Sequence, residues 1–409
     1  MEYLHHSSVP ATKSELELFA IPATQTAIES CYEVEFRPSA TLDSTRTYDF
    51  QVPASEDFTD MSGTMIYVKC KLESGRNDQT FEETLELTEN FGNTMFDQID
   101  IQLGKTSITP STNLYHYQAY LEDLLFRPPS ELDRGFTPPT VAKNGKPFEL
   151  YFRLHSAICQ QTNLLINGIP ILIRLNRGRD SFLYRSVGDQ EYKLKLETIK
   201  IIIKRVRVFP DVQAGIAMGL EKVPAKYFIT RNVVKSFSLT SGLGYSTIDN
   251  VFSGPLPKRM VVGFVSNSAF TGRNSVKPFV FNNNQITHLV SYVDGSQVPS
   301  IAYAPEFSED LYMREFISLY RYMNQDEGIP QMKITYEEFK EKSCLLAFDY
   351  SPDGATGAES GTLSLVKRGN IRLDVRFKNA LAHPLFVIVF AQFYNLIQID
   401  RYRNVSVDY

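Results

Sequence analysis

The chain has 409 residues, enough for two domains of roughly 200 residues, each with a substantial core. Hydrophobic residues make up 43% and charged residues 22% of the chain, and 28 Phe and 22 Tyr without any Trp favour a β-rich fold. A net charge of −5 excludes a strong overall attraction to nucleic acid or anionic membranes.

An N-terminal arm is the first predicted element and covers residues 1–29. This segment is polar except for one apolar run, in which Leu16, Leu18, Phe19 and Ile21 are the candidate assembly residues. Chain ends of this kind stay loose unless a partner orders them, so we expect the run to dock on another subunit.

The order hairpin, helix, strand then occurs twice. Gly104 and the Asp294-Gly295 pair predict two β-hairpins, because glycine supplies the positive φ that such turns need. Each hairpin precedes a predicted helix and, much later, a strand that carries Arg174 in the first copy and Arg376 in the second. The glycines are 191 residues apart (295 − 104) and the arginines 202 apart (376 − 174). These offsets indicate a duplicated β module.

Both predicted helices have one apolar face at helical spacing, which is typical of a core-facing helix. The two faces consist of Tyr117, Tyr120, Leu121, Leu124 and Leu125 in the first helix, and of Tyr312, Phe316, Leu319, Tyr320 and Met323 in the second. Ser308, followed by two acidic residues, is the predicted N-cap of the second helix.

Two further strand signals have local features. The alternation over residues 192–208 changes phase near Thr198 and predicts either a bulge or two strands. Leu256, Pro257, Lys258 and Arg259 precede an apolar run, and they predict a strand entered through a proline with charged residues at its mouth.

These signals give the fold class all-β: two tandem eight-stranded jelly rolls with short helices in the loops. The predicted domains are the arm, a first roll over residues 30–210, a linker over 211–225 with a short helix capped by Asp211, and a second roll over 226–409. The loops 127–147 and 353–361 are expected at the outer ends of the rolls.

The sequence contains no recognisable catalytic pattern. Cys31, Cys70, Cys159 and Cys344 are at least 39 residues apart (70 − 31), which argues against disulfides or a zinc site and favours a reducing compartment. His116, His155, His288 and His383 are each isolated, whereas a cupin metal site needs paired histidines. Nucleophile elbows, Walker A loops and complete dinucleotide-binding loops are missing. We therefore assign no catalytic, cofactor or metal residue.

Basic residues are densest over 193–207. The simplest interpretation is the solvated face of alternating strands, and the alternative is a contact with nucleic acid or an acidic partner. Two other functions also stay open for a doubled β module: a bicupin-like metalloenzyme and a virion attachment or carbohydrate-binding module.

Five segments together resemble the major capsid protein of Polinton/Maverick elements and related adintovirus-like viruses. They span most of the chain in the expected order and are residues 14–19, 22–26, 256–259, 292–299 and 399–405. The last three include Leu256 to Arg259, the Asp294-Gly295 turn and the end of the final long strand.

The resemblance implies a double jelly roll that forms homotrimers, which are pseudo-hexameric capsomers of an icosahedral shell. It implies neighbouring capsomers, a penton or minor capsid protein as partners, and packaged double-stranded DNA as an indirect one. An internal membrane occurs only in some relatives. The expected location is the virion capsid, assembled in the host nucleus or cytoplasm, and no catalytic residue is implied.

Overall fold

The computed structural model describes residues 6–9, 11, 14–16, 18–19, 21–42, 46–75, 81, 85–127, 145–188, 190–323, 332–352 and 365–408. Most of the two loops predicted at the outer ends of the rolls, 127–147 and 353–361, therefore lies outside the described residues. A 3₁₀ turn at Ser14–Leu16 lies in the arm, and the first strand begins at Ile28.

The first module contains two antiparallel four-stranded sheets. Sheet I has the order β1–β10–β3–β7 and sheet II the order β2–β8–β5–β6, while β4 and β9 form a separate pair. The strands are β1 (Ile28–Phe36), β2 (Thr47–Val52), β3 (Phe58–Ser74), β4 (Glu86–Leu87), β5 (Phe96–Leu103), β6 (Thr106–Ser107), β7 (Phe148–Arg153), β8 (Ile171–Arg177), β9 (Tyr184–Arg185) and β10 (Tyr192–Val208).

The second module repeats this design. Sheet III has the order β11–β18–β13–β16 with β19 added beside β18, and sheet IV has the order β12–β17–β14–β15. The strands are β11 (Ala225–Leu239), β12 (Tyr245–Pro255), β13 (Arg259–Ser266), β14 (Ile286–Val293), β15 (Ser296–Tyr303), β16 (Leu345–Asp349), β17 (Arg368–Phe377), β18 (Leu385–Ile399) and β19 (Val405–Asp408).

The strand orders of the two modules correspond one to one, so sheet III matches sheet I and sheet IV matches sheet II. The β5–β6 and β14–β15 hairpins lie at the same place in the two orders, and their turn residues have the predicted positive φ: 61° at Gly104 and 85° at Gly295. Each pair of facing sheets is a jelly roll. The predicted all-β fold class of two tandem rolls is confirmed.

Short helices connect the strands. They are α1 (Phe91–Thr94), α2 (Tyr115–Phe126), α3 (Ala157–Gln160), α4 (Pro210–Lys222), α5 (Asn267–Phe270), α6 (Met313–Tyr322) and α7 (Tyr336–Glu341), with 3₁₀ turns at Asp180–Phe182 and Phe307–Glu309. Helices α2 and α6 follow the two hairpins, and both predicted apolar faces turn inward. The two rolls are joined through α4, of which Leu220 is the buried residue.

Both predicted helix caps were wrong. Ser308 lies inside a 3₁₀ turn that Asp310 ends with a left-handed φ of 57°, so α6 begins only at Met313. Helix α4 begins at Pro210 after Phe209, because proline fits the first helical position without needing its missing N–H. Asp211 lies in the first turn instead, where its negative charge interacts favourably with the positive end of the helix dipole.

The phase change near Thr198 is a bulge within one strand. The pairing of β10 with β3 shifts register between Leu196 and Thr198, and β10 continues as a single strand of 17 residues. The bulge lets one long strand keep its apolar side chains on the inner face on both sides of the shift.

The hydrophobic cores of the two rolls interlock. The core of the first roll includes Tyr227 from β11 and Ile397 from β18, both strands of the second roll. The core of the second roll includes Tyr117, Leu121 and Leu125 from α2, a helix of the first roll. Neither roll therefore buries its apolar surface without the other.

Candidate assembly site at the seam between the rolls

Helix α2 of the first roll lies on the outer face of sheet III, and we call this contact the seam. The ring centroid of Phe126 is 6.3 Å from that of Phe390, and the Arg259 guanidinium lies 4.7 Å from the centre of the Phe126 ring. Tyr120 stacks on Phe279 at 4.3 Å. The seam is thus an aromatic contact that α2 makes with sheet III and with the segment around Phe279.

A buried ionic cluster lies at the centre of the seam. His155 is held between two carboxylates: Nδ1 is 2.7 Å from Glu122 Oε2, and Nε2 is 3.2 Å from Asp123 Oδ2. Arg127 Nε is 2.8 Å from Asp123 Oδ1. The two carboxylates are balanced by the imidazolium and the guanidinium, which is the condition under which buried charges are tolerated.

Hydrogen bonds extend this cluster into the second roll. Asn232 of β11 donates through Nδ2 to Glu122 Oε1 at 2.5 Å, and its Oδ1 accepts from Gln392 of β18 at 2.8 Å. Arg259 of β13 donates through Nε to Gln392 Oε1 at 2.5 Å. The side chains of Asn232, Gln392 and Arg259 thus form a buried row across three strands of sheet III. The first roll contributes the Glu122 carboxylate, which accepts the hydrogen bond from Asn232 at one end of this row.

The carboxylates determine the protonation of His155. Burial disfavours the imidazolium, but the charges of Asp123 and Glu122 and the hydrogen bond to Glu122 outweigh burial and raise the pKa of His155 to about 9. By contrast, His116 faces apolar surroundings, and burial lowers its pKa to about 3. At neutral pH the seam therefore contains a charged histidine.

This pKa predicts that the fold weakens in alkali. The unperturbed pKa is 6.5, so the stabilisation is complete below pH 6.5 and is lost as the pH rises through 9. We expect the His155 cluster to contribute about 2 kcal/mol less to the free energy of unfolding at pH 9 than at pH 7. Urea titrations at pH 7 and pH 9 measure how much the free energy of unfolding falls between the two pH values. The fall should be smaller for His155→Gln than for the unchanged protein, and equal falls would contradict the prediction.

The structure corrects the interpretation of His155 as isolated. Its partners Glu122 and Asp123 lie 33 and 32 residues earlier (155 − 122, 155 − 123), so no short motif joins them. The available signal was two adjacent carboxylates within the aromatic helix 115–126, where charge is unusual unless it is paired. Within the described ranges, no group of three or more His, Cys, Asp or Glu residues is arranged to hold a metal ion.

The predicted motif before β13 lies beside the seam. Leu256 is buried, and the backbone of Lys258 bridges two strands: its N–H donates to Gln392 O at 2.8 Å, and its carbonyl accepts from Tyr350 N–H at 3.0 Å. Pro257 precedes the strand as predicted. Arg259, predicted as a charged residue at the strand mouth, is only 8% exposed, because it enters the polar row of sheet III.

The other motif residues lie in sheet IV, away from the seam. Asp294 Oδ1 accepts from Asn370 N–H at 2.9 Å and closes the turn that Gly295 forms. Arg376 lies beside His288 on β14 and stacks over Tyr245 on β12 at 5.5 Å. These contacts fix a hairpin and a sheet face, and they bring no reactive groups together.

The arm residues are exposed. Leu16, Leu18, Phe19 and Ile21 are 66%, 77%, 98% and 90% exposed, respectively. Apolar side chains at such exposure are available for contact with a partner.

The basic stretch on β10 is a solvated sheet face with ion pairs. Lys200 is 2.7 Å from Glu35, Lys204 is 3.0 Å from Asp60, and Arg207 is 3.4 Å from Asp57, measured between charged atoms. Arg205 is the buried exception and donates to Thr59 Oγ1. The solvated-face interpretation is supported, since neighbouring acids already engage these cations.

Solved structures of capsid proteins share this architecture. PBCV-1 VP54, fitted into a reconstruction of the virophage Sputnik, superposes with a TM-score of 0.65 at 9% identity, covering 96% of this chain and 99% of that one. The chain has the double jelly-roll fold. The same double jelly roll occurs in the Sputnik virophage structure, with TM-score 0.65 at 10% identity and coverage of 100% and 94%. The mavirus major capsid protein gives 0.56 at 11% identity, with coverage of 100% and 97%.

Sequence comparisons are less informative about the double jelly-roll chain. No family model matches it. An uncharacterized protein of Caenorhabditis elegans, F54H12.2, is 20% identical over 261 residues, which is 61% of each chain. The match therefore spans less than two thirds of that relative. Among the described residues, no helix is long and apolar enough to cross a membrane.

Proposed function

We propose that the chain is the structural major capsid protein of an icosahedral double-stranded DNA virus or virus-like element. The observation that carries the proposal is that the full two-roll architecture matches capsid proteins over 96–100% of this chain. Two copies of one roll in a single chain also have a geometric purpose, since three chains then present six similar rolls around one axis.

The finer parts of the proposal come from the sequence resemblance. They are the Polinton/Maverick lineage, trimers that act as pseudo-hexameric capsomers, a penton or minor capsid protein as a partner, and DNA packaged within the shell. The location is the virion capsid, with assembly in the host nucleus or cytoplasm. The protein acts as a building block, with no catalytic role.

The exposed arm has a place in this proposal. Leu16, Leu18, Phe19 and Ile21 would be covered by a neighbouring copy in the shell. Light scattering of the variant with both Leu18→Ser and Phe19→Ser reports whether the arm contributes to contacts between copies.

Assembly state tests the proposal. We expect the purified chain of 46.6 kDa to form a species of three times that mass, and electron microscopy to show hexagonal outlines with six similar lobes. Light scattering at increasing protein concentration measures the mass. A chain that stays monomeric at high concentration would refute the proposal. Elemental analysis and glycan binding test the metalloenzyme and attachment alternatives on the same sample.

A further inference from the structure

Sheets I and III are equivalent in the fold, but their outer faces have different surroundings. The row Asn232, Gln392 and Arg259 on sheet III is 4%, 5% and 8% exposed, because α2 of the preceding roll covers it. On sheet I, Lys200, Tyr67 and Tyr151 are register partners and form a second row across three strands, and Glu35 of the neighbouring strand forms an ion pair with Lys200. This second row faces solvent in the single chain.

The outer face of sheet I has the composition of a contact surface. Tyr151 is 50% exposed, and Tyr67 donates from its hydroxyl to Glu149 at 2.7 Å. Lys200 lies 5.7 Å from the centre of the Tyr67 ring and 2.7 Å from Glu35. Tyrosine is enriched at protein–protein interfaces, so the two tyrosines are the part of this face best suited to a contact.

Helix α6 has an outer face that no sheet covers among the described residues of the single chain. It occupies the same place after its hairpin as α2 does, and its inner face packs in the second roll through Leu319. Its opposite face exposes Met313 by 56% and Ile317 by 48%, one turn apart, beside the exposed Arg321. No sheet lies on this face within the described part of the single chain, whereas the corresponding side of α2 is covered by sheet III.

We infer that the outer face of α6 in one copy covers the outer face of sheet I in a second copy. The contact repeats between chains what α2 and sheet III make within one chain. It is heterologous, since two different surfaces meet, and three copies close it into a ring with six similar contacts. The inference rests on the proposed trimer and names the surfaces that form it.

Cross-linking tests these surfaces directly. In a Cys31→Ser background, which removes the exposed native thiol, the full chain carries Ile317→Cys on α6 and Tyr151→Cys on sheet I. A short bismaleimide should convert this double variant into covalent dimers and trimers on a denaturing gel. Each single variant should stay monomeric, because neither surface meets itself. The control replaces Ile317→Cys by Met218→Cys on α4, a site 62% exposed outside the contact.

A charge introduced into the contact gives an independent measurement. Ile317→Glu should raise the dissociation constant of the trimer roughly 100-fold, and Met218→Glu should leave it unchanged. Equal urea unfolding midpoints for the two variants would show that Ile317→Glu weakens the trimer without destabilising the folded chain.

The outcomes separate the inference from the proposed function. Trimers of the expected mass that fail to cross-link in the double variant, or that tolerate Ile317→Glu, would overturn the inference and leave the capsid proposal standing. Cross-linking by Ile317→Cys alone would also overturn it, because that result requires two α6 helices to meet. A chain that never trimerises overturns both.

Discussion

Replacing Glu122 by leucine is expected to lower the free energy of unfolding by about 3–5 kcal/mol. The substitution removes the acceptor of Asn232 and Gln118 and leaves the His155 imidazolium with Asp123 as its remaining carboxylate. A buried charge that loses its partner costs far more than an exposed pair contributes, because water cannot replace the lost carboxylate. Urea unfolding at pH 7 followed by circular dichroism measures the loss.

The matched control is an exposed ion pair outside the proposed contact between copies. Glu86 lies 2.8 Å from Lys277, and its side chain is 42% exposed, so Glu86→Leu should change the free energy of unfolding by less than about 1 kcal/mol. A double variant with both Glu122 and His155 replaced by leucine should recover part of the loss, since it removes the positive charge that Glu122 balanced and keeps the Asp123–Arg127 pair. Equal losses for Glu122→Leu and Glu86→Leu would show that the seam cluster has no special role.

Replacing Phe281 by alanine is expected to cost about 3–5 kcal/mol. The ring is fully buried, and its centroid lies 6.4 Å from those of both Tyr117 and Tyr120 on α2. It also fills the space above Gly263, where an added Cβ would come within 2.4 Å of the ring. The substitution therefore opens a cavity between the two rolls, and the midpoint of urea unfolding should fall accordingly.

Phe281→Leu is the control for cavity size. It keeps most of the volume and should cost about 1 kcal/mol. Phe228→Ala is the control for burial, because Phe228 is 39% exposed on β11. It should lower the free energy of unfolding much less than Phe281→Ala does. If Phe228→Ala and Phe281→Ala cost the same, the packing against Gly263 and α2 does not determine the stability of the seam.

The local β signals were predictable from the sequence because each depends on neighbouring residues. Gly104 and Gly295 specify their turns through φ alone, and the change of phase near Thr198 reports the bulge directly. The apolar face of the second predicted helix is correct from Tyr312 to Met323. Only the start of that helix was misplaced, because the left-handed Asp310 turns the chain after Ser308.

The seam was not predictable because its members are distant in sequence. Glu122 meets Asn232 after 110 residues, and Arg259 meets Gln392 after 133. Alternation of polar and apolar residues assigns Arg259 to the surface, whereas the actual outer face of sheet III is covered by another roll. A pattern within one strand cannot report what lies on its second face.

The repeat was predicted correctly as two modules but not at the level of residues. Arg174 pairs with Asp100, four residues before Gly104 (104 − 100), whereas Arg376 pairs with His288, seven residues before Gly295 (295 − 288). The two arginines thus occupy equivalent strands at different heights. Strand order has been kept between the copies, and strand register has drifted.

The exposed helix α4 has a consequence for how the chain holds together. Leu220 is its buried residue, while the interlocked cores and the ionic cluster join the rolls directly. The covalent connection therefore acts as a tether, which raises the effective concentration of one half near the other. A chain divided within α4 would leave two fragments with complementary surfaces, so the single chain can be regarded as a heterodimer whose two halves are covalently joined.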